Sequence, residues 1–280
     1  MDTKRLILFV IFSFSLMLLW DSFTKQSADI DQSTKADGQS INVDKSLPQP
    51  SASLIAKNNL PQTSSQFSLS AGLPIKVNTD LLSLTINTSG GDIRELKFNN
   101  HQAEDSQGKY ILMTDVGNPL FYVAQSGLLG EGLPTHKSKF LSAQQSYQMD
   151  SDKLIVPLIY ENSEVMVKKI YEFNRDSYLI STKFEIKNKS KNIINPSAYF
   201  QFVHDGVSSQ GSAMMPTFTG PAFFTEKEKF EKLDFSDVDK KSFSKISNNG
   251  WIGIIQRYFA ASWILSGDLE REFYTKKISE

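Results

Sequence analysis

Leu82-Ser83-Leu84-Thr85-Ile86-Asn87-Thr88-Ser89-Gly90-Gly91-Asp92-Ile93 is the stretch whose reading decides the fold. From Leu82 to Asn87 apolar and polar residues alternate, as they do in a strand with one buried face. Ser89-Gly90-Gly91-Asp92 is a dense cluster of turn formers. Residues 93–98 then read as the returning strand.

The same grammar continues toward the C-terminus. Residues 119–124 form a short apolar run that Ser126-Gly127 is expected to close. Residues 154–160, 165–173 and 178–187 are rich in β-branched and aromatic side chains. In the last of these, Leu179, Ser181, Lys183, Glu185 and Lys187 share one side, and Tyr178, Ile180, Thr182, Phe184 and Ile186 the other. Asn174-Arg175-Asp176 and the polar run from Asn188 to Asn192 read as turns, and residues 197–203 add another strand. Strands about ten residues apart, with turn signals between them, predict a mainly β, antiparallel sandwich-type fold. A parallel sheet would need helical periods between the strands, and these are missing.

Two segments fit the scheme less simply. Thr225-Glu226-Lys227-Glu228 has the form of a capping box and predicts a short helix. Residues 250–265 (GWIGIIQRYFAASWIL) predict one long buried strand, and Arg257 within them argues against a membrane span.

The N-terminus differs in character. Lys4 and Arg5 precede an apolar run over residues 6–20, and the stretch to Phe23 is about 27 Å long as a helix, close to a bilayer core. A cleaved signal peptide would carry small residues at the cleavage site; Trp20, Asp21 and Phe23 follow instead, so an uncleaved anchor is the expectation. The positive charges hold the N-terminus in the cytoplasm and place everything after about residue 24 outside it. Ser, Gln, Asn, Asp and Pro dominate the following stretch, which lacks apolar periodicity. The expected organisation is a cytoplasmic end and transmembrane helix over 1–25, a flexible polar linker over 26–66, and an extracytoplasmic β-sandwich domain over 67–280.

Composition narrows the chemistry. The net charge is −1, which argues against nucleic acid as a partner. There is no cysteine, which excludes disulfides, thiol catalysis and lipoprotein processing. The three histidines, His101, His136 and His204, lack helical metal-ligand spacing. His204-Asp205 resembles a base beside its orienting carboxylate, but neighbours on a strand point to opposite faces, so the pair reads as a strand-to-loop transition. Ser208, Ser209 and Ser212 sit in a Gly/Ser loop without a nucleophile elbow. Glu226, Glu228, Glu231, Asp234, Asp237 and Asp239 interleave with lysines, as on a solvated face. Met214-Met215-Pro216 reads as core filling or an adaptable contact, and Asn188-Lys189-Ser190 as a chance sequon. The sequence assigns no catalytic, cofactor-binding or metal-binding residue, and the chain is expected not to be an enzyme.

Several stretches in order resemble the YidC membrane-protein insertases: the charged start, apolar span and polar tether; Ser89-Gly90-Gly91-Asp92-Ile93; Phe121-Tyr122-Val123-Ala124-Gln125-Ser126-Gly127-Leu128; Phe218-Thr219-Gly220-Pro221-Ala222-Phe223-Phe224; and Asn249-Gly250-Trp251-Ile252 followed by Gln256-Arg257-Tyr258-Phe259-Ala260-Ala261-Ser262-Trp263-Ile264. The resemblance implies a periplasmic β-supersandwich similar to sugar mutarotases. It implies a role in inserting and folding inner-membrane proteins, alone or with the Sec translocon, without cofactor or covalent chemistry. Inner-membrane lipid, nascent membrane proteins and Sec components are the partners it implies. The family's five-helix insertase core would follow this domain, so the chain is expected to be an N-terminal portion, with the β-domain continuing past Phe273-Tyr274-Thr275. Arg257 belongs to the periplasmic motif, not to the insertase groove. The alternative from the same fold is a membrane-tethered carbohydrate- or peptide-binding protein.

Overall fold

The computed structural model describes residues 46–48, 69–103, 108–116, 121–207, 217–238, 240 and 243–278. The expected transmembrane helix over 1–25 lies outside them, as does all of the expected linker except residues 46–48 and its boundary with the domain near 67. Among the described residues no helix is long and apolar enough to cross a membrane.

The described residues are built from strands. In chain order these are β1 (Pro74–Asn78), β2 (Leu82–Asn87), β3 (Asp92–Gln102), β4 (Lys109–Met113), β5 (Tyr122–Leu129), β6 (Ser146–Gln148), β7 (Lys153–Glu161) and β8 (Val165–Asn174). They continue with β9 (Ile180–Asn188), β10 (Ser197–His204), β11 (Gly220–Thr225), β12 (Lys229–Lys232), β13 (Ser244–Ser247), β14 (Trp251–Ile255), β15 (Ala260–Ile264) and β16 (Arg271–Tyr274). A seven-stranded sheet has the order β10-β5-β3-β2-β1-β6, with β4 also paired to β3. Three smaller sheets have the orders β7-β8-β9, β12-β11-β14-β15 and β13-β16.

The mainly β expectation holds, and the alternating burial of Leu82, Leu84 and Ile86 follows the alternation in sequence. The main core sets Ile75, Val77, Leu84 and Ile86 of the large sheet with Val156, Leu158, Tyr171 and Phe173 of the three-stranded sheet. Each such side chain removed from water stabilises the fold by about 1.5–3 kcal/mol before the entropy of ordering. Phe259, Ala261 and Trp263 of the four-stranded sheet and its turn pack against the same core.

The structure corrects four local expectations. Ser126-Gly127 does not close a strand, because β5 runs through both to Leu129 in unbroken register with β10. Gly127 is there because the Tyr199 ring lies across it; a Cβ would sit 2.6 Å from the Tyr199 hydroxyl. Thr225 starts no helix. Its Oγ1 accepts from the Glu228 backbone N–H at 3.0 Å, which makes the capping-box contact inside the β11–β12 hairpin turn. Residues 250–265 are not one strand but the β14–β15 hairpin, since the Gln256 N–H reaches the Phe259 carbonyl and closes a turn. Finally, the fold is not wholly antiparallel: β1 and β6 pair in parallel.

Candidate functional site

Three places hold chemistry-bearing side chains together. The first is the turn between β2 and β3. β8 places Val165, Val167, Lys169, Tyr171 and Phe173 on its inner face, so a lysine occupies a core position and is 0% exposed. Its ammonium donates to the carbonyls of Gly90 at 2.9 Å and Ser126 at 3.0 Å. It also lies 5.6–5.9 Å from the ring centroids of Tyr171, Phe184 and Phe140, where ring quadrupoles attract a cation. The Tyr171 hydroxyl donates to Gly91 O at 2.6 Å.

Asp92 is equally buried. Its Oδ2 accepts from Gln125 Nε2 at 2.8 Å, and Gln125 Oε1 in turn accepts from Gln201 Nε2 at 2.9 Å. Burial pushes the Asp92 carboxyl up to about 7; Lys169, the Gln125 hydrogen bond and Arg94 oppose that push. Burial draws Lys169 down to about 8, with Asp92 opposing. Arg94, also buried, reaches Ser70 O at 2.8 Å and Asp115 at 3.8 Å. Gly90 (φ +74°) and Gly91 (φ +62°) adopt the left-handed conformation that lets their carbonyls face the buried cluster.

The second place is the end of β10. His204 Nδ1 and Asp205 Oδ1 are 3.1 Å apart, so the two side chains do meet. This corrects the opposite-faces argument: β10 ends at His204, and Gly206 (φ +76°) turns the chain beyond it. The contact is still not a general-base dyad. His204 Nδ1 sits between the Gly206 N–H at 3.0 Å and Asp205 Oδ1 at 3.1 Å. Both Asp205 oxygens take backbone N–H groups, from Val207 at 2.9 Å and Phe121 at 2.8 Å. Burial holds His204 below the ordinary histidine range, with Asp205 opposing. The Phe235 ring stacks on it at 4.6 Å.

The third place is the β14–β15 tip. Phe259 inserts among Phe98, Tyr110 and His101, with centroids 4.5, 4.6 and 5.1 Å away. Tyr178 closes the cluster from the β8–β9 turn, 5.5 Å from Phe98. Tyr258 and Arg257 project outward, the guanidinium 5.0 Å from the Tyr258 ring. Arg257 is therefore a surface residue of the hairpin tip.

Other weighed residues do not converge. Glu228 pairs with Lys245 at 3.3 Å and Asp237 with Lys240 at 3.7 Å, as on a solvated face. Among the described residues no group of three or more His, Cys, Asp or Glu is placed to hold a metal ion. Ser208, Ser209, Ser212, Met214, Met215 and Asp239 lie outside the described residues.

Residues 74–280 match the family model described as the YidC periplasmic domain. The chain belongs to the YidC family. It is 47% identical to the membrane protein insertase YidC of Methylobacillus flagellatus, an alignment covering 100% of this chain and 52% of that protein. The YidC proteins of Nitrosospira multiformis and Aromatoleum aromaticum are 37% and 36% identical, covering 100% and 99% of this chain and 53% and 52% of theirs. The chain thus spans about half the length of the curated relatives it matches. The YidC-like stretches reach the three places above: Ser89–Asp92 forms the Lys169 turn, residues 121–128 run along β5 beneath it and meet Asp205 through the Phe121 N–H, and Gln256–Ile264 forms the aromatic tip. Residues 218–224 and 249–252 form the β11–β14 pair that carries the tip.

Proposed function

We propose that this chain is the N-terminal portion of a membrane-protein insertase and chaperone, and that its β-domain is a periplasmic interaction and spacing module. The match to the family along the whole chain carries this reading. In it, residues 1–25 cross the inner membrane with the N-terminus cytoplasmic, and the domain lies outside as a mutarotase-like supersandwich. Its partners are nascent membrane proteins, membrane lipid and components of the Sec translocon. It works by binding and positioning, with no covalent step and no cofactor. Two features support that division of labour. The charged groups of the β2–β3 turn are sealed in the core, where they hold structure together, and the aromatic β14–β15 tip offers Tyr258 and Arg257 outward.

The test is site-specific photocrosslinking in membranes that are synthesising a single-span inner-membrane protein. Probes replace Tyr178, Phe230 and Tyr258, all more than 45% exposed. Adducts to the nascent chain or to translocon subunits are expected from at least one position. Silence from all three overturns the interaction-module reading.

A further inference from the structure

The polar chain that starts at Asp92 does not stop inside the sheet. Gln125 uses its Nε2 on Asp92, which turns its Oε1 toward Gln201. Gln201 then donates from Nε2 both to Gln125 Oε1 at 2.9 Å and to the backbone carbonyl of Ser46 at 3.4 Å. An amide nitrogen has two protons, so both bonds can be made at once. Ser46 is 7% exposed, a burial unexpected for a polar residue in a Ser/Gln/Asn-rich extension. A second, unrelated element grips the next residue: Lys276, beyond β16, donates from Nζ to Leu47 O at 2.8 Å. Two consecutive carbonyls are thus held by side chains 75 residues apart in sequence, one from the edge strand of the large sheet and one from the chain's far end. Among the described residues β10 has a strand partner on one side only, which leaves its outer flank available to a further segment of chain.

We propose that residues 46–48 are a docking segment for the β-domain, seated on Gln201 and Lys276, so that the stretch of chain between anchor and domain ends near residue 45 and not near residue 67. The consequence is reach, and this part rests on the membrane-anchored reading above. Counted from Phe23, a flexible chain of about 44 residues has an end-to-end distance of about 36 Å, whereas about 23 residues give about 26 Å. Docking therefore holds the domain about 10 Å closer to the bilayer than its linker composition alone implies.

Trypsin tests this on the full chain in detergent, because Lys35, Lys45 and Lys57 flank or adjoin the segment. Cleavage after Lys45 is expected to be about 10- to 30-fold slower than after Lys35, the protection that two hydrogen bonds supply. The double variant Gln201→Leu, Lys276→Ala is expected to raise the Lys45 rate to that of Lys35 while leaving the Lys35 rate unchanged. Equal rates at Lys35 and Lys45 in the parent chain, or an unchanged Lys45 rate in a folded double variant, overturn the proposal. A readout that needs no variant of the site uses the absence of cysteine: spin labels at Leu47→Cys and Lys191→Cys should give one narrow distance distribution. A broad distribution overturns the docking. Neither measurement reads insertase activity, so failure here leaves the proposed function standing, and failure of the crosslinking leaves the docking standing.

Discussion

At the scale of single residues, Lys169 and its turn are the most consequential feature. A buried ammonium is stable only while its donors and charge are matched. Lys169→Met keeps the length of the side chain but leaves the carbonyls of Gly90 and Ser126 without a donor and Asp92 without its cation. It should destabilise the fold by about 3–5 kcal/mol, read from urea unfolding of the chain in detergent. Gly90→Ala should cost at least about 2 kcal/mol in the same assay, because its Cβ would lie 2.3 Å from His136 O at a positive φ. The pair also sets a pH signature. Asp92 holds its proton up to about 7 in the folded chain but releases it near 3.8 when unfolded. Between those values the folded state binds more protons, so this group's contribution falls as pH rises from about 4 to 7. Lys169 acts in the opposite sense: its contribution is full above the ordinary lysine value of 10.5 and is lost as pH falls toward about 8. Asp92→Asn should flatten the decline between pH 4 and 7, measured as unfolding midpoints across that range; an unaltered slope would remove Asp92 from the account.

At the scale of elements, the β14–β15 hairpin separates packing from display. Phe259→Ala should cost about 2–3 kcal/mol, since it empties the site between Phe98 and Tyr110. Arg257→Ala should stay within about 0.5 kcal/mol in the same denaturation curves. The hairpin also marks where sequence reasoning runs out. β7, β8 and β9 are legible because their period-2 patterns are long and bounded by Asn and Asp turns. The hairpin is not, because Gln256-Arg257-Tyr258 contains no Gly, Pro or Asn to signal a turn. Ser126-Gly127 misleads in the opposite way: the glycine answers a tertiary contact with Tyr199, not a local bend. Lys169 was legible in principle, since Val165-Met166-Val167-Lys168-Lys169-Ile170-Tyr171 places it in register with the apolar face. What burial needs, the two carbonyls from β2–β3 and β5, comes from strands distant in sequence, and periodicity carries no trace of them. The His204–Asp205 contact was missed for a related reason, because strand geometry was extended one residue past its end.

At the scale of the whole molecule, unpaired edges govern behaviour. Among the described residues β15 is the outer strand of its sheet, and Ile264 on it is 63% exposed. Such an edge is a template for pairing with another copy. Residues 67–280 produced alone should therefore self-associate, and Ile264→Lys should lower the associated fraction in light scattering without changing the melting temperature. A monodisperse parent fragment would count against this. The large sheet has an open edge of another kind, in time. β5 is complete at Leu129, but its partner β10 does not begin until Ser197 and ends at His204. At about 5–20 residues per second, the 75 residues from Leu129 to His204 take about 4–15 s to synthesise. For that interval β5 is the edge of the growing sheet, with the hydrogen-bonding groups that β10 will meet still unpaired, while the three-stranded unit β7-β8-β9 is already able to close. The order of strands in space thus writes a schedule for the nascent chain: the sheet that holds the buried lysine's turn is among the first begun and cannot be finished until long after.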